Sequence, residues 1–428
     1  MTFYIKTYGC QMNDEDSRRL SALMQKEGHI RVSHPDSADI ISIIACSVRK
    51  KAEDRAIQFA RSMKPYALKG AIVSLLGCTA ELLGEKALEI IPHASIICGP
   101  NKLSEFPSCL LRAKQGERPV LVGEGKTPFL PGFEPTEISA SISVTKGCEN
   151  FCTYCIVPFA RGAFQSRPRE EILCEISTLA KKGVKEILLL GQNVNEYGQD
   201  KGDGYGFAQL LSDISDIPSI IRIRFMTSHP KDTTEEILSA MAELPKVCNH
   251  LHLPVQSGSD KILTAMGRHY TRDHYLHLVS RARDLMPGIA ITSDIIVGFP
   301  GEEKKDFEET CSLIKKVRFD ELYIFKYSAR KQSPAFHLPD SLSLEEKEAR
   351  HQKVLSIQKK ISREIFQEFE GKRKEVLVEK VTKNGKLMGK ISENKTLVFE
   401  GSPSLRGSLV ELLITGFGAG SLYGKIIS

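Results

Sequence analysis

The residues in this chain best suited to unusual chemistry are its cysteines, eleven in all. Three lie together in KGCENFCTYC as Cys148, Cys152 and Cys155. The CxxxCxxC spacing puts three thiolates on one loop, enough to grip a metal centre and leave one position open. Structural zinc sites usually take four ligands from paired CxxC units, and no second pair lies nearby. A [4Fe–4S] cluster held by three cysteines instead keeps one iron free for a small molecule. Three further cysteines, Cys10, Cys46 and Cys78, each end a short apolar run: TFYIKTYGC, DIISIIACS and AIVSLLGCT. This second trio suits an iron–sulfur cluster or a zinc with one open position. The cysteine count is odd and nothing suggests export, so metal or catalysis takes precedence over disulfides.

Cysteines 36 and 32 residues apart need elements that bring them together. Each of the three runs is followed by a helical pattern: DEDSRRLSALMQKEG, VRKKAEDRAIQFARSM and AELLGEKALEII. The separations match about one βαβ unit of 30 residues or more. Successive units predict an open parallel sheet whose strand carboxyl ends line one edge, where such sheets bind ligands. HASIICGP reads as a fourth strand, with Cys98 an ordinary strand residue. Cys109, Cys174, Cys248 and Cys311 read as structural. The Pro- and Gly-rich GEGKTPFLPGFEPTE, residues 123–137, is expected to be a linker.

From residue 139 six runs have strand character: ISASISVTKGC, KEILLLGQN, IIRIRFMTSHP, NHLHLPVQS, GIAITSDIIVGFPG and ELYIFKYS. Amphipathic stretches such as REEILCEISTLAKKG separate them. Six β/α repeats imply a partial barrel, since a closed one takes eight. Polar residues collect at the strand carboxyl ends: Cys148, Gln192, Asn193, Ser228, His229, Gln256, Ser257, Asp294 and Ser328. A long charged helix over LSLEEKEARHQKVLSIQKKISREIFQEFEG then leads to five short strands with glycine-rich turns, a small antiparallel OB-like barrel. The expected domains are 1–120, 134–364 and 367–428 in an α/β protein of 428 residues. No run of 18 apolar residues exists, which excludes a membrane-spanning helix. The N-terminus lacks a secretory pattern, so a cytoplasmic location is expected. A net charge of +6 permits nucleic-acid binding without demanding it.

CxxxCxxC at the end of the first strand of a six-fold barrel resembles the radical S-adenosylmethionine enzymes. The ordered series YGCQMN, IACSVRKKAE, LLGCTA, GCENFCTYCIVPFARGAFQSRP, LLGQNVNEYG, TSHP, HLPVQSGSD and SDIIVGFPGE resembles their methylthiotransferase family over essentially the whole chain. The resemblance implies two [4Fe–4S] clusters, one on Cys148, Cys152 and Cys155 that binds S-adenosylmethionine, the other an auxiliary cluster on Cys10, Cys46 and Cys78 that carries sulfur. It implies a 5′-deoxyadenosyl radical that takes a hydrogen atom from carbon 2 of an N6-isopentenyladenosine beside a tRNA anticodon. That C–H bond is not acidic, so no residue is assigned as acid or base. Tyr154, Gln192, Asn193, Gln256, Ser257, Asp294 and Gly298 are expected near S-adenosylmethionine, and Arg161 and Arg167 near substrate phosphate or the cofactor carboxylate. The C-terminal barrel is similar to the TRAM module, with three more Lys and Arg than Asp and Glu from residue 366 onward. Implied partners are the tRNA anticodon stem-loop and an electron donor such as flavodoxin or ferredoxin. No sulfur donor is indicated, and a monomer is expected.

Three other readings compete. Related enzymes modify threonylcarbamoyl-adenosine in tRNA or an aspartate of a ribosomal protein. Asn193 and the QMN of the N-terminal motif favour tRNA over the ribosomal protein, and QMN, TSHP and SRP together favour the isopentenylated base. A zinc-stabilised RNA-binding protein without catalysis is the third.

Overall fold

The computed structural model describes residues 1–125, 138–340 and 342–427. The expected linker and the boundary at residue 134 fall largely outside them. The chain opens with β1 (Thr2–Tyr8), β2 (Ile30–Arg31), β3 (Ile40–Ala45), β4 (Ile72–Leu76), β5 (Ile96–Cys98) and β6 (Val120–Leu121). They form one sheet in the order β2-β1-β3-β4-β5-β6, every pair parallel. β3 and β4 are buried along their whole length, as central strands covered on both faces must be. Ile40, Ile44 and Leu76 pack on one side, and Ile41, Ile43 and Leu75 on the other. AELLGEKALEII, read as one helix, is two, Cys78–Leu83 and Lys86–Ile90. Gly84 at φ +52° parts them, a conformation that ends a helix cleanly only because glycine lacks a Cβ. The two-residue strands β2 and β6 carry too little pattern for the sequence to announce them.

The second region begins with β7 (Ser139–Ser143). A short antiparallel pair, β8 (Thr145–Lys146) and β9 (Gln165–Ser166), then holds the cysteine loop between its strands. β10 (Glu186–Leu190), β11 (Arg222–Phe225), β12 (His250–His252), β13 (Ala290–Val297) and β14 (Glu321–Lys326) complete the six expected strands. Two parallel triplets, β11-β10-β7 and β12-β13-β14, follow chain order. They are joined where the Ile223 N–H donates to Lys246 O at 2.7 Å and the Cys248 N–H to Ile223 O at 2.9 Å. Among the described residues β7 and β14 have no further strand beside them, so the barrel stays open. Ile142, Ile187, Leu189, Ile223, Leu251 and Ile291 face the surrounding helices. The alternate residues face inward: Ser141, Glu186, Arg224, His252, Asp294, Tyr323 and Phe325.

The helix Leu344–Gln367 leads to β15 (Arg373–Val381), β16 (Leu387–Lys390), β17 (Thr396–Phe399), β18 (Leu409–Phe417) and β19 (Leu422–Ile426). These close a barrel in the order β15-β16-β17-β19-β18. The β17–β19 pair is parallel, where antiparallel pairing throughout was expected. The small barrel docks on the amino ends of the central strands. Arg224 donates to Ile391 O at 2.7 Å and Ser392 O at 3.0 Å, Arg222 to Glu375 O at 2.9 Å, and the Asn249 N–H to Ser392 Oγ at 2.7 Å. Glu186 balances Arg224 at 2.9 Å. No helix of the described residues is long and apolar enough to cross a membrane.

Candidate metal centre

The chain steps from β1 outward to β2 and returns past β1 to β3. Crevices at such reversals are the ligand sites of doubly wound sheets. Cys10 follows β1 and Cys46 follows β3, one on each side of the reversal, and Cys78 follows β4. The Cys10 and Cys46 thiols hydrogen-bond, which holds Cys10 down to about 6 and pushes Cys46 up. Burial pushes the Cys78 thiol up, and Arg161 beside it pulls the other way. Gly9 lets the strands approach: a Cβ there would lie 2.2 Å from the Cys46 Cβ, and its φ is +138°.

Cys148, Cys152 and Cys155 lie on the loop after β7, each within electrostatic reach of another. Three donors point at their sulfurs. Asn150 Nδ2 reaches Cys148 Sγ at 3.5 Å, the Val157 N–H reaches Cys155 Sγ at 3.4 Å, and Arg268 Nη1 reaches Cys152 Sγ at 3.6 Å. Burial pushes Cys155 up to about 12. Phe151, at φ +43°, is a non-glycine residue held in the left-handed region, a strain that well-supported functional loops tolerate.

Among the described residues no group of three His, Cys, Asp or Glu is arranged to hold a single metal ion. An iron–sulfur cube gives each cysteine its own iron and so asks for wider spacing. Orphaned polar atoms support that fit. Ser47 Oγ and Thr79 Oγ1, the residues straight after Cys46 and Cys78, are buried without a hydrogen-bond partner. Buried hydroxyls are normally satisfied, so a missing acceptor beside two cysteines points to a group that supplies one.

More orphans line the carboxyl ends of the central strands. Gln192 Oε1, Asn193 Oδ1, Asn195 Oδ1, Ser228 Oγ, His229 Nε2 and Gln256 Oε1 are all buried and unpartnered. His229 Nδ1 accepts from the Lys231 N–H at 3.1 Å, which leaves the ring proton on Nε2. Burial holds this ring down to about 2, so it is a neutral donor. Thr227 and Gln256, at φ +66° and +69°, are strained in the same way as Phe151. Ser257 is spent on Thr310, at 3.3 Å. Asp294 stands partly open on the inner face, 3.6 Å from His252 Nε2. The Gly298 N–H donates to Glu302 at 2.7 Å. Tyr154 is partly buried and packs against the cluster of Ile262, Met266, Phe299 and Tyr327.

The two arginines stand elsewhere than anion contacts require. Arg161 and Arg167 are 7% and 3% exposed. Arg161 pairs with Asp16 at 2.6 Å, and Arg167 with Glu175. Each is therefore buried against a carboxylate of the protein. Sequence reasoning overlooked Arg268, whose GRHY context carries no signal. It also passed over Asn150, although that residue sits inside the cysteine motif.

Three family models match the chain: the Radical SAM superfamily over residues 142–314, the uncharacterized protein family UPF0004 over 2–99, and the TRAM domain over 367–427. Among solved structures, the fold is similar to the radical S-adenosylmethionine methyltransferase TsrM from Kitasatospora setae, with a TM-score of 0.59 at 13% identity over 78% of this chain and 75% of that one. It is also similar to the cobalamin-dependent radical enzyme OxsB, with a TM-score of 0.53 at 15% identity over 84% of this chain and 56% of that one. Fold and cysteine loop together define a radical S-adenosylmethionine enzyme. Curated relatives narrow the class. The tRNA-2-methylthio-N(6)-dimethylallyladenosine synthase of Thermotoga petrophila is 41% identical over 100% of this chain and 97% of its own, and that of Clostridium botulinum 41% over 99% and 97%. The chain belongs to the family of tRNA-2-methylthio-N(6)-dimethylallyladenosine synthases.

Proposed function

We propose that this enzyme inserts a methylthio group at carbon 2 of N6-isopentenyladenosine beside the anticodon of tRNA, using two three-cysteine clusters. When bound, a [4Fe–4S] cluster with S-adenosylmethionine at Cys148, Cys152 and Cys155 supplies a carbon radical that takes unactivated hydrogen, and a second on Cys10, Cys46 and Cys78 supplies sulfur. The observation that carries the reading is the pair of cysteine trios at the strand ends of two abutting α/β regions. A radical-generating site and a sulfur-bearing site in abutting regions would suit a reaction needing both at the same carbon.

The protein's task is placement and exclusion. Asn150, Val157 and Arg268 donate to the core cysteines, which stabilises thiolates and fixes the loop. Gln192, Asn193, Ser228, His229 and Gln256 offer unmatched donors and acceptors to the ammonium, carboxylate and ribose of the cofactor. Tyr154 and Gly298 stand beside that pocket, and Asp294 completes its inner wall. Tyr323 and Phe325, 39% and 36% exposed on the inner face of β14, give the adenine and its five-carbon substituent an apolar wall. Tyr323 lies within the field of Arg49, whose guanidinium donates to Gly9 O at 2.7 Å, so this wall reaches the N-terminal trio.

The division of labour follows 1–120 for sulfur, 134–364 for the radical and 367–428 for RNA affinity. A monomer in the cytoplasm, reduced by a small carrier such as flavodoxin or ferredoxin, meets these needs. The test is mass spectrometry of tRNA nucleosides from cells lacking the protein. The methylthio nucleoside disappears and its N6-isopentenyl precursor accumulates. An unchanged nucleoside profile overturns the proposal.

A further inference from the structure

The helix Val157–Arg161 starts two residues past Cys155, and Gly162 at φ +77° turns the chain away from it. Its last side chain leaves the radical core altogether. Arg161 Nη2 donates to Asp16 Oδ2 at 2.6 Å and to Asn13 Oδ1 at 3.3 Å. Both acceptors lie on the helix Gln11–Lys26, which begins straight after Cys10. Asn13 Oδ1 also accepts from the Cys10 thiol at 3.7 Å, and Asn13 Nδ2 anchors to Tyr8 O at 3.1 Å. The same guanidinium lies beside the Cys78 thiol, within electrostatic reach of it. So one side chain, delivered by the loop of one cysteine trio, bonds a cysteine-holding asparagine of the other and lies within electrostatic reach of Cys78.

Two physical effects follow. The bond to Asn13 ties the Cys10 end of the N-terminal site to the core. The charge matters as well, because arginine stays protonated in any protein environment. A buried cation beside thiolate ligands favours the more negative, reduced form of a cluster there and raises its potential. Asp16 offsets part of that charge. Burial pulls the nearby Lys146 down to about 7, so Arg161 is the permanent cation here.

We propose that Arg161 is the positioning residue through which the radical core orients the N-terminal iron–sulfur site and sets its reduction potential. This rests on the reading that Cys10, Cys46 and Cys78 hold a cluster, and the experiment separates the two. The full-length chain carrying Cys148→Ala, Cys152→Ala and Cys155→Ala retains only the N-terminal site. Anaerobic reconstitution with iron and sulfide gives about four irons per chain if the cluster reading holds. A chain without iron overturns that reading and the proposal with it. In this background, Arg161→Gln moves the midpoint of an EPR-monitored redox titration to lower potential, and Arg161→Lys restores most of it. Asp16→Asn moves it the opposite way, to higher potential, and this variant decides the matter if Arg161→Gln does not fold. Loss of thermal stability with an unmoved midpoint in all three variants overturns the proposal and leaves Arg161 a structural ion pair.

Discussion

The two cysteine trios are built by opposite strategies. The core trio occupies one loop of eight residues, Cys148 to Cys155. Its geometry is set mostly locally, by Phe151 in a left-handed turn and by donors from Asn150 and Val157, with Arg268 the one distant donor to its sulfurs among the described residues. The N-terminal trio spans 69 residues and exists only when β1, β3 and β4 lie in register. A loop site survives small errors in its scaffold, whereas a site assembled by a sheet inherits every one of them. The proposed function gives the two trios different duties, so damage to each should have its own signature.

The largest expected effect breaks the pair outright. Cys152→Ala should reduce 5′-deoxyadenosine formation to background, as read by chromatography of a reduced reaction mixture. Turnover at the parental rate would contradict the assignment. Cys10→Ala should do the reverse, keeping cleavage of S-adenosylmethionine while yielding no methylthio nucleoside. Methylthiolated product from that variant would remove the sulfur role.

A subtler pair sharpens the comparison. A Cβ on Gly9 would lie 2.2 Å from the Cys46 Cβ, and one on Gly147 would lie 1.9 Å from Ala163 O. Both glycines also have positive φ, at +138° and +67°. Each alanine should cost about 1–3 kcal/mol of strain. Gly9→Ala should lose about half the iron while retaining 5′-deoxyadenosine formation, because the shift falls on Cys46 and Asn13, both at the N-terminal site. Gly147→Ala should lower 5′-deoxyadenosine formation and keep the N-terminal iron. Equal losses from both sites in both variants would mean that the trios are not independently built.

The smallest effect concerns pH. Burial holds His229 and His250 below their ordinary range. Both rings therefore favour the folded state fully above about pH 6.5, and that stability is lost as the pH falls, because the unfolded chain takes up protons the folded one refuses. Each should cost about 1.4 kcal/mol by one pH unit lower. Urea midpoints at pH 7.5 and 5.5 measure the sum. His250→Gln should flatten the dependence, and an unchanged slope would exclude this ring as a cause.

Much of this architecture was legible in the chain. Apolar runs ending in Cys10, Cys46 and Cys78 marked strands, and a repeat of one βαβ unit implied a shared sheet edge. The polar residues after the core strands stood out because nothing in a hydrophobic pattern accounts for GQN or VQS. Other features were hidden for physical reasons. Two-residue strands have no periodicity to read, and a single parallel pair in a small barrel depends on closure. An arginine after a cysteine motif suggests an anion, and only three-dimensional contact reveals that Asp16, 145 residues away, already supplies one. Arg268 depends wholly on tertiary placement.

Arg222 and Arg224 seat the small C-terminal barrel under the amino ends of the central strands, while both cysteine trios lie at the carboxyl ends. Strands of the length of β14 separate these ends by about 20 Å. On the proposed function, an RNA held by the small barrel would be measured off like cloth against a fixed rod before its base enters the mouth. Choice of nucleotide becomes a matter of reach, and a shim of one or two residues at that lower joint would slide the mark along the strand.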